Sequence, residues 1–263
     1  MASHPPADCC VVGVKHEGSP TGKPVRVAGR WDAYYSSPSG AEAHHDVVLI
    51  YLPDILGIWQ NSQLMADQFA MNGYHTLVID LYNGDALPLN KPAGFDMKKW
   101  MMEGSDGKNP HTPEAVDPIV EAAIKYLKAE HGVARIGAVG YCFGGKYVVR
   151  HYKSGIDVGF IAHPTNITEA ELAEISGPLS IAAAETDPLF PAEKRHASER
   201  ILAESSQPYQ VTLYSGVSHG FAVRGDITNR RQVFAKKQAF SQAVVWFNEY
   251  LVGGSPIDQA TNS

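Results

Sequence analysis

Ala134-Arg135-Ile136-Gly137-Ala138-Val139-Gly140-Tyr141-Cys142-Phe143-Gly144-Gly145-Lys146-Tyr147-Val148-Val149 is the stretch that decides the fold. Residues 134–139 form an apolar run expected to be a strand buried on both faces. Residues 143–152 read as a helix. The turn between them has glycine two residues before and two residues after Cys142. A tight strand-to-helix turn forces its central residue into strained φ/ψ, and side chains at the flanking positions would clash. That context matches the nucleophile elbow G-x-S-x-G with sulfur in place of the serine oxygen. Placement before a helix favours thiolate at Cys142 through the dipole and free N–H groups. The Phe143 N–H would point at a developing oxyanion. The bland alternative is a small buried cysteine in a glycine-rich turn.

Working outward, Val47 to Leu52 and His75 to Asp80 are further buried strands, separated by helical spacing over 62–72 that ends at Gly73. Thr112-Pro113 supplies an N-cap and an N1 proline, and Gly132 a stop, for a helix with Val116, Ile119, Val120, Ala123, Ile124 and Leu127 on one face. Strands follow near 158–162, 178–183 and 209–214, with helices near 191–205 and 229–251. Strands alternating with helices specify an α/β architecture with a mainly parallel central sheet and helices on both faces. Turn chemistry between Val11 and Tyr35 predicts two or three short antiparallel strands ahead of it. Residues 1–10 read as a loose end, with Cys9-Cys10 entering the first strand; metal or redox roles are the sharper alternative for that pair. The stretch from Asp80 to His111 is long and irregular, and its Phe95, Trp100, Met101 and Met102 suggest a segment folded over the body and facing substrate. One domain over 1–263 is expected, with its core at about 8–252 and flexible termini.

In a fold of this kind the nucleophile is followed by an acid and then a histidine. Asp187 follows the apolar run Leu179 to Ala184, just past a strand end. His219 follows the last expected strand and alone among the eleven histidines occupies such a loop at that point in the order. A helix N-cap is the competing reading of Asp187, and an incidental loop residue that of His219.

The elbow, the Asp187 segment and His219-Gly220-Phe221-Ala222-Val223-Arg224-Gly225 resemble dienelactone hydrolase family proteins, most closely their fungal members, over residues 8 to 252. The resemblance implies an α/β-hydrolase fold, with Cys142, Asp187 and His219 as triad and the N–H groups of Phe143 and Ile55 as oxyanion donors. It also implies Asp54 as an acid modulating the thiol, one methylene shorter than the glutamate of bacterial members. Those members hold a substrate carboxylate with two arginines. One position is Val223 here, with Arg224 next to it; the other has no clear counterpart, although Lys98 and Lys99 lie in the right region. Arg224, Leu56, Trp100 and Phe221 are candidate substrate contacts. The activity implied is cysteine-dependent cleavage of activated esters or lactones. The alternative is a non-hydrolytic cyclase or isomerase, or a ligand-binding protein, of the kind found in fungal natural-product pathways.

Composition sets bounds on partners. A net charge of −6 and a pI near 6.0 argue against nucleic acid, which needs a basic face. No apolar run approaches ~18 residues, so no membrane span is expected. Three cysteines and no secretory signal fit a reduced, cytoplasmic setting. His44-His45-Asp46 reads as a solvated turn and not as metal ligands. No cofactor and no metal are expected, the partner being a small-molecule ester or lactone; a monomer or homodimer is expected.

Overall fold

The computed structural model describes residues 1–39, 43–91 and 94–253. Eight strands form one sheet: β1 (Lys23–Val27), β2 (Trp31–Ser36), β3 (Val47–Leu52), β4 (His75–Ile79), β5 (Arg135–Tyr141), β6 (Val158–Ala162), β7 (Leu179–Thr186) and β8 (Tyr209–Ser218). Their order is β1-β2-β4-β3-β5-β6-β7-β8. β1, β2 and β4 pair antiparallel, and every pairing from β4 through β8 is parallel. β3 is buried at all six positions and β5 at six of seven, as continuous apolar runs require when helices cover both faces.

The helices are α1 (Gln60–Met71), α2 (Met97–Glu103), α3 (Pro113–His131), α4 (Gly144–Arg150), α5 (Glu169–Ala173), α6 (Ala192–Glu204), α7 (Phe221–Arg224) and α8 (Arg230–Phe247). α3 keeps its proline at the first turn and ends at Gly132, whose φ of 59° is left-handed. α8 stops short of 251 because the chain continues as one π-helical turn, Asn248–Val252. α5 begins with a capping box in which Thr168 accepts from the Glu171 N–H and Glu171 accepts from the Thr168 N–H. The irregular stretch after β4 contains α2, with Trp100 buried against Tyr82 and His111 at ring separations of 5.6 and 4.2 Å.

The amino-terminal expectation is overturned. Residues 1–10 are not loose, and Cys9-Cys10 lie in a 3-10 turn, Asp8–Val11, not in a strand. The Ser3 N–H donates to the Ile167 carbonyl at 3.0 Å, the His4 N–H to Leu189 at 2.8 Å, and the Asn166 N–H to the His4 carbonyl at 2.7 Å. Ala2, Ser3 and Cys10 are buried. These bonds reach over loops that follow β6 and β7, so the segment is held by partners far away in sequence and carries no periodic signal of its own. Two antiparallel strands follow it, β1 and β2. The expected flexible carboxyl terminus, residues 254–263, lies outside the described residues.

Candidate active site

The elbow between β5 and α4 places Cys142 at φ +53°, a left-handed conformation that is costly for a residue with a side chain. Three hydrogen bonds hold it there: the Cys142 N–H donates to the Ala162 carbonyl at 3.1 Å, and the Cys142 carbonyl accepts from the Thr165 and Gly145 N–H groups at 3.1 and 3.2 Å. Glycine is required beside it. A Cβ on Gly144 would sit 1.9 Å from the Leu52 carbonyl oxygen, and one on Gly140 would sit 2.7 Å from that of Gly144. The first of these contacts also brings the turn after β3, with Pro53, Asp54 and Ile55, against the elbow. Among the described residues, the N–H groups of Ile55 and Phe143 have no acceptor.

β7 ends one residue before Asp187, and β8 one residue before His219. Asp187 Oδ2 lies 2.9 Å from His219 Nδ1, and its Oδ1 accepts from the Leu189 and Phe190 N–H groups at 2.9 and 3.2 Å. The carboxylate is therefore locked in rotation by its own loop while its other oxygen orients the imidazole. His219 Nε2 lies 3.2 Å from Cys142 Sγ. The His219 and Asp187 side chains are fully buried.

Burial pushes the Cys142 thiol up, but a hydrogen bond with Cys10 and the charges of His219 and Arg224 outweigh it and hold the thiol well below its ordinary range. Burial pulls His219 down, yet Cys142 and Asp187 together push it up to about 10. Each group is among the causes of the other's shift, and both shifts run in the direction that favours a thiolate beside an imidazolium.

The other residues singled out in the sequence divide. Asp54 is buried, its Oδ1 accepting from the Leu56 N–H at 3.1 Å and its Oδ2 paired with Arg224 Nη1. Burial raises its pKa to about 6 against the opposing charge of Arg224. Among the described residues, it has no hydrogen bond to Cys142. Arg224 is itself buried, its Nε donating to the Val12 carbonyl at 3.0 Å and its Nη2 to that of Cys9 at 3.4 Å. Room for it is left by Gly13, where a Cβ would lie 2.7 Å from the Arg224 side chain. Leu56, Trp100 and Phe221 are all buried, Phe221 packing on His163 and Trp100 on Tyr82, which in turn packs on Phe143, whereas Lys98 and Lys99 are exposed. His44-His45-Asp46 sits in the turn before β3; His44 packs on Tyr74 with ring centroids 4.7 Å apart.

Two residues lie at the site where sequence reading did not place them. Cys10 places Sγ 3.6 Å from His219 Nε2. His163, just past the end of β6 at φ +39°, stacks edge-on against His219 with centroids 4.9 Å apart, and neither of its ring nitrogens has a partner among the described residues. Burial, with His219 and Arg224 nearby, keeps it well below the usual histidine range and therefore neutral. Its position past a strand's carboxyl end was the available signal, since that edge is where open α/β sheets collect their sites. Cys10 offered no comparable signal.

With this geometry in hand, a sequence profile described as "Dienelactone hydrolase family" matches residues 31–251. The chain belongs to the dienelactone hydrolase family. Among its relatives, "Hydrolase tropI" of Talaromyces stipitatus is 51% identical over 95% of this chain and 99% of that protein. "Hydrolase pyvD" of Aspergillus violaceofuscus is 46% identical over 95% and 99%, and "Dienlactone hydrolase 1" of Gibberella moniliformis 33% identical over 94% and 95%. In fold, the chain is similar to a putative dienelactone hydrolase from Klebsiella pneumoniae, with a TM-score of 0.69 at 14% identity over 88% of this chain and 99% of that one. Membership of the dienelactone hydrolase family makes the protein an α/β hydrolase acting on a small molecule. Among the described residues, no helix is long and apolar enough to cross a membrane.

Proposed function

We propose that the protein is a cysteine-dependent hydrolase that cleaves activated esters or lactones through a thioester on Cys142, within one catalytic domain. The observation that carries the reading is the continuous relay Asp187–His219–Cys142, at 2.9 and 3.2 Å, in which the thiol is held well below its ordinary range and the imidazole is pushed up to about 10. The Cys142 thiolate attacks the acyl carbon, and the N–H groups of Phe143 and Ile55 receive the oxyanion. Losing one such donor typically costs on the order of 100- to 1000-fold. His219 gives its proton to the departing oxygen, then takes one from the water that hydrolyses the thioester.

Sulfur narrows the substrate. A thiolate leaves a tetrahedral intermediate more readily than an alkoxide does, so the reaction goes forward when the departing oxygen is itself stabilised, as in enol or aryl esters. Arg224 is engaged by Asp54 and two carbonyls, which favours a substrate without a free carboxylate at that position.

The test is p-nitrophenyl acetate turnover by wild type and Cys142→Ala, with intact-mass measurement of an acyl adduct. The expected result is a nitrophenol burst and an adduct in wild type, both absent in the variant. Equal turnover with no adduct in either protein would overturn the proposal. A catalyst that rearranges its substrate without adding water is the second reading, favoured by the complete burial of Cys142. Its signature in the same experiment is one equivalent of nitrophenol and an adduct that does not clear.

A further inference from the structure

Cys10 lies outside the triad, yet its sulfur shares the Nε2 face of His219 with Cys142. The two sulfur–nitrogen separations are 3.6 and 3.2 Å, and the three donor atoms all lie within 4.8 Å of one another. We propose that Cys10, Cys142 and His219 form a binding site for a thiophilic divalent cation of the zinc type.

The donor set decides the class of ion. Two sulfurs and one imidazole nitrogen, with no oxygen among them, suit a soft or borderline cation and exclude magnesium or calcium. The spacing suits it as well. Tetrahedral zinc with Zn–S of about 2.3 Å and Zn–N of about 2.0–2.1 Å sets its sulfur and nitrogen ligands about 3.5–3.6 Å apart. The Cys10 separation of 3.6 Å matches that value, and the Cys142 separation of 3.2 Å falls a few tenths of an ångström short of it.

The surroundings are those of a metal site. Asp187 holds His219 by Nδ1, the carboxylate–histidine contact that fixes a ligating imidazole and raises its basicity. Two thiolates neutralise the ion, and the neighbouring Arg224–Asp54 pair adds no net charge. Binding displaces the proton of the Cys10 thiol and the proton shared by Cys142 and His219. Three protein ligands leave the fourth position open, as in zinc sites that bind water or a small ligand. An ion seated there takes both the nucleophile and the base of the triad, so the loaded and the covalently reactive states exclude each other.

The measurement uses the full chain, reduced with a phosphine, stripped with chelator and titrated with Co²⁺ and then Zn²⁺. Wild type is expected to bind one Co²⁺ per chain, with visible bands of four-coordinate cobalt and a sulfur-to-cobalt charge-transfer band, all bleached by one equivalent of Zn²⁺. Loss of outer contacts to a metal ligand typically weakens binding by about 10- to 100-fold; Cys10→Ala and Cys10→Ser, which lose a ligand outright, are expected to weaken it by about 100-fold or more. Near-UV circular dichroism of each variant confirms its fold. No binding by wild type, bands without a sulfur component, or Cys10 variants that bind as tightly as wild type would each overturn the proposal. If neither variant folds, the wild-type cobalt spectrum alone decides. The readout is the metal and not ester turnover, so a protein without esterase activity leaves this proposal standing, and the reverse also holds.

Discussion

At the scale of single residues, the site depends on charge held in a dry place. Cys142 and His219 are buried together, and either ionised alone would be expensive; as a pair they support one another. The expected consequence is a thiolate that persists far below the ordinary thiol value of 9.0. Ultraviolet thiolate absorbance of wild type minus Cys142→Ala, followed against pH, is expected to survive well into the neutral range and below. In Asp187→Asn the imidazolium loses its support, and the titration is expected to move up. A difference spectrum that titrates as an ordinary cysteine in wild type would refute the ion pair. Cys142, Asp187 and His219 were legible in the sequence because each sits in a local pattern that its chemistry demands: glycines around an elbow, an acid past a strand end, a histidine in the last loop. Cys10, Arg224 and Asp54 were legible only as residues. Cys10 meets His219 across 209 positions and Arg224 meets Asp54 across 170, and no local pattern encodes such a meeting.

At the scale of elements, α4 has to be held rigidly because the turn that leads into it carries Cys142. Lys146 on α4 is buried and donates to Glu171 of α5 at 2.7 and 2.9 Å. Arg150, at the other end of α4, bridges Glu171 and Asp117 of α3, and His151 adds a contact to Asp117 at 3.0 Å. Burial opposes the Asp117 charge, but His151 and Arg150 overcome it and lower the pKa to about 2 from 3.8. A depressed folded-state pKa stabilises the protein above the unfolded value, and that contribution is lost as pH falls through the folded one. Between about pH 4 and pH 2, wild type is therefore expected to lose thermal stability more steeply than Asp117→Asn. Parallel melting curves for the two proteins across that window would show that the network contributes nothing to acid stability. The strands and long helices were legible from apolar runs and caps. The short helices α2, α5 and α7 were not: at four to seven residues they are too short for a periodicity to repeat, and tertiary packing decides them.

At the scale of the whole molecule, the amino-terminal segment is a strap across the carboxyl edge of the sheet. It bonds to the loops after β6 and β7, and its Val12 and Cys9 carbonyls cap Arg224. Asp8 pairs with Lys91 at 2.9 Å, and the Asn90 N–H reaches the Val11 carbonyl, so the strap also closes on the segment after β4. Cys142 is fully buried beneath this assembly. Deleting residues 2–7 removes the Ser3 and His4 anchors. The shortened protein is expected to melt at lower temperature and to expose its thiols to an aromatic disulfide reagent several-fold faster. Unchanged thiol reactivity would mean that access to Cys142 runs by another route.

The strap also has a history within each molecule. One of its partners is made late: Cys10 leaves the ribosome 209 residues before His219 does. At about 5–20 residues per second, Cys10 waits roughly 10–40 s before His219 is made. The contact that joins Cys10 to His219 therefore forms late, and a nascent chain keeps this site unassembled until residue 219 has been translated.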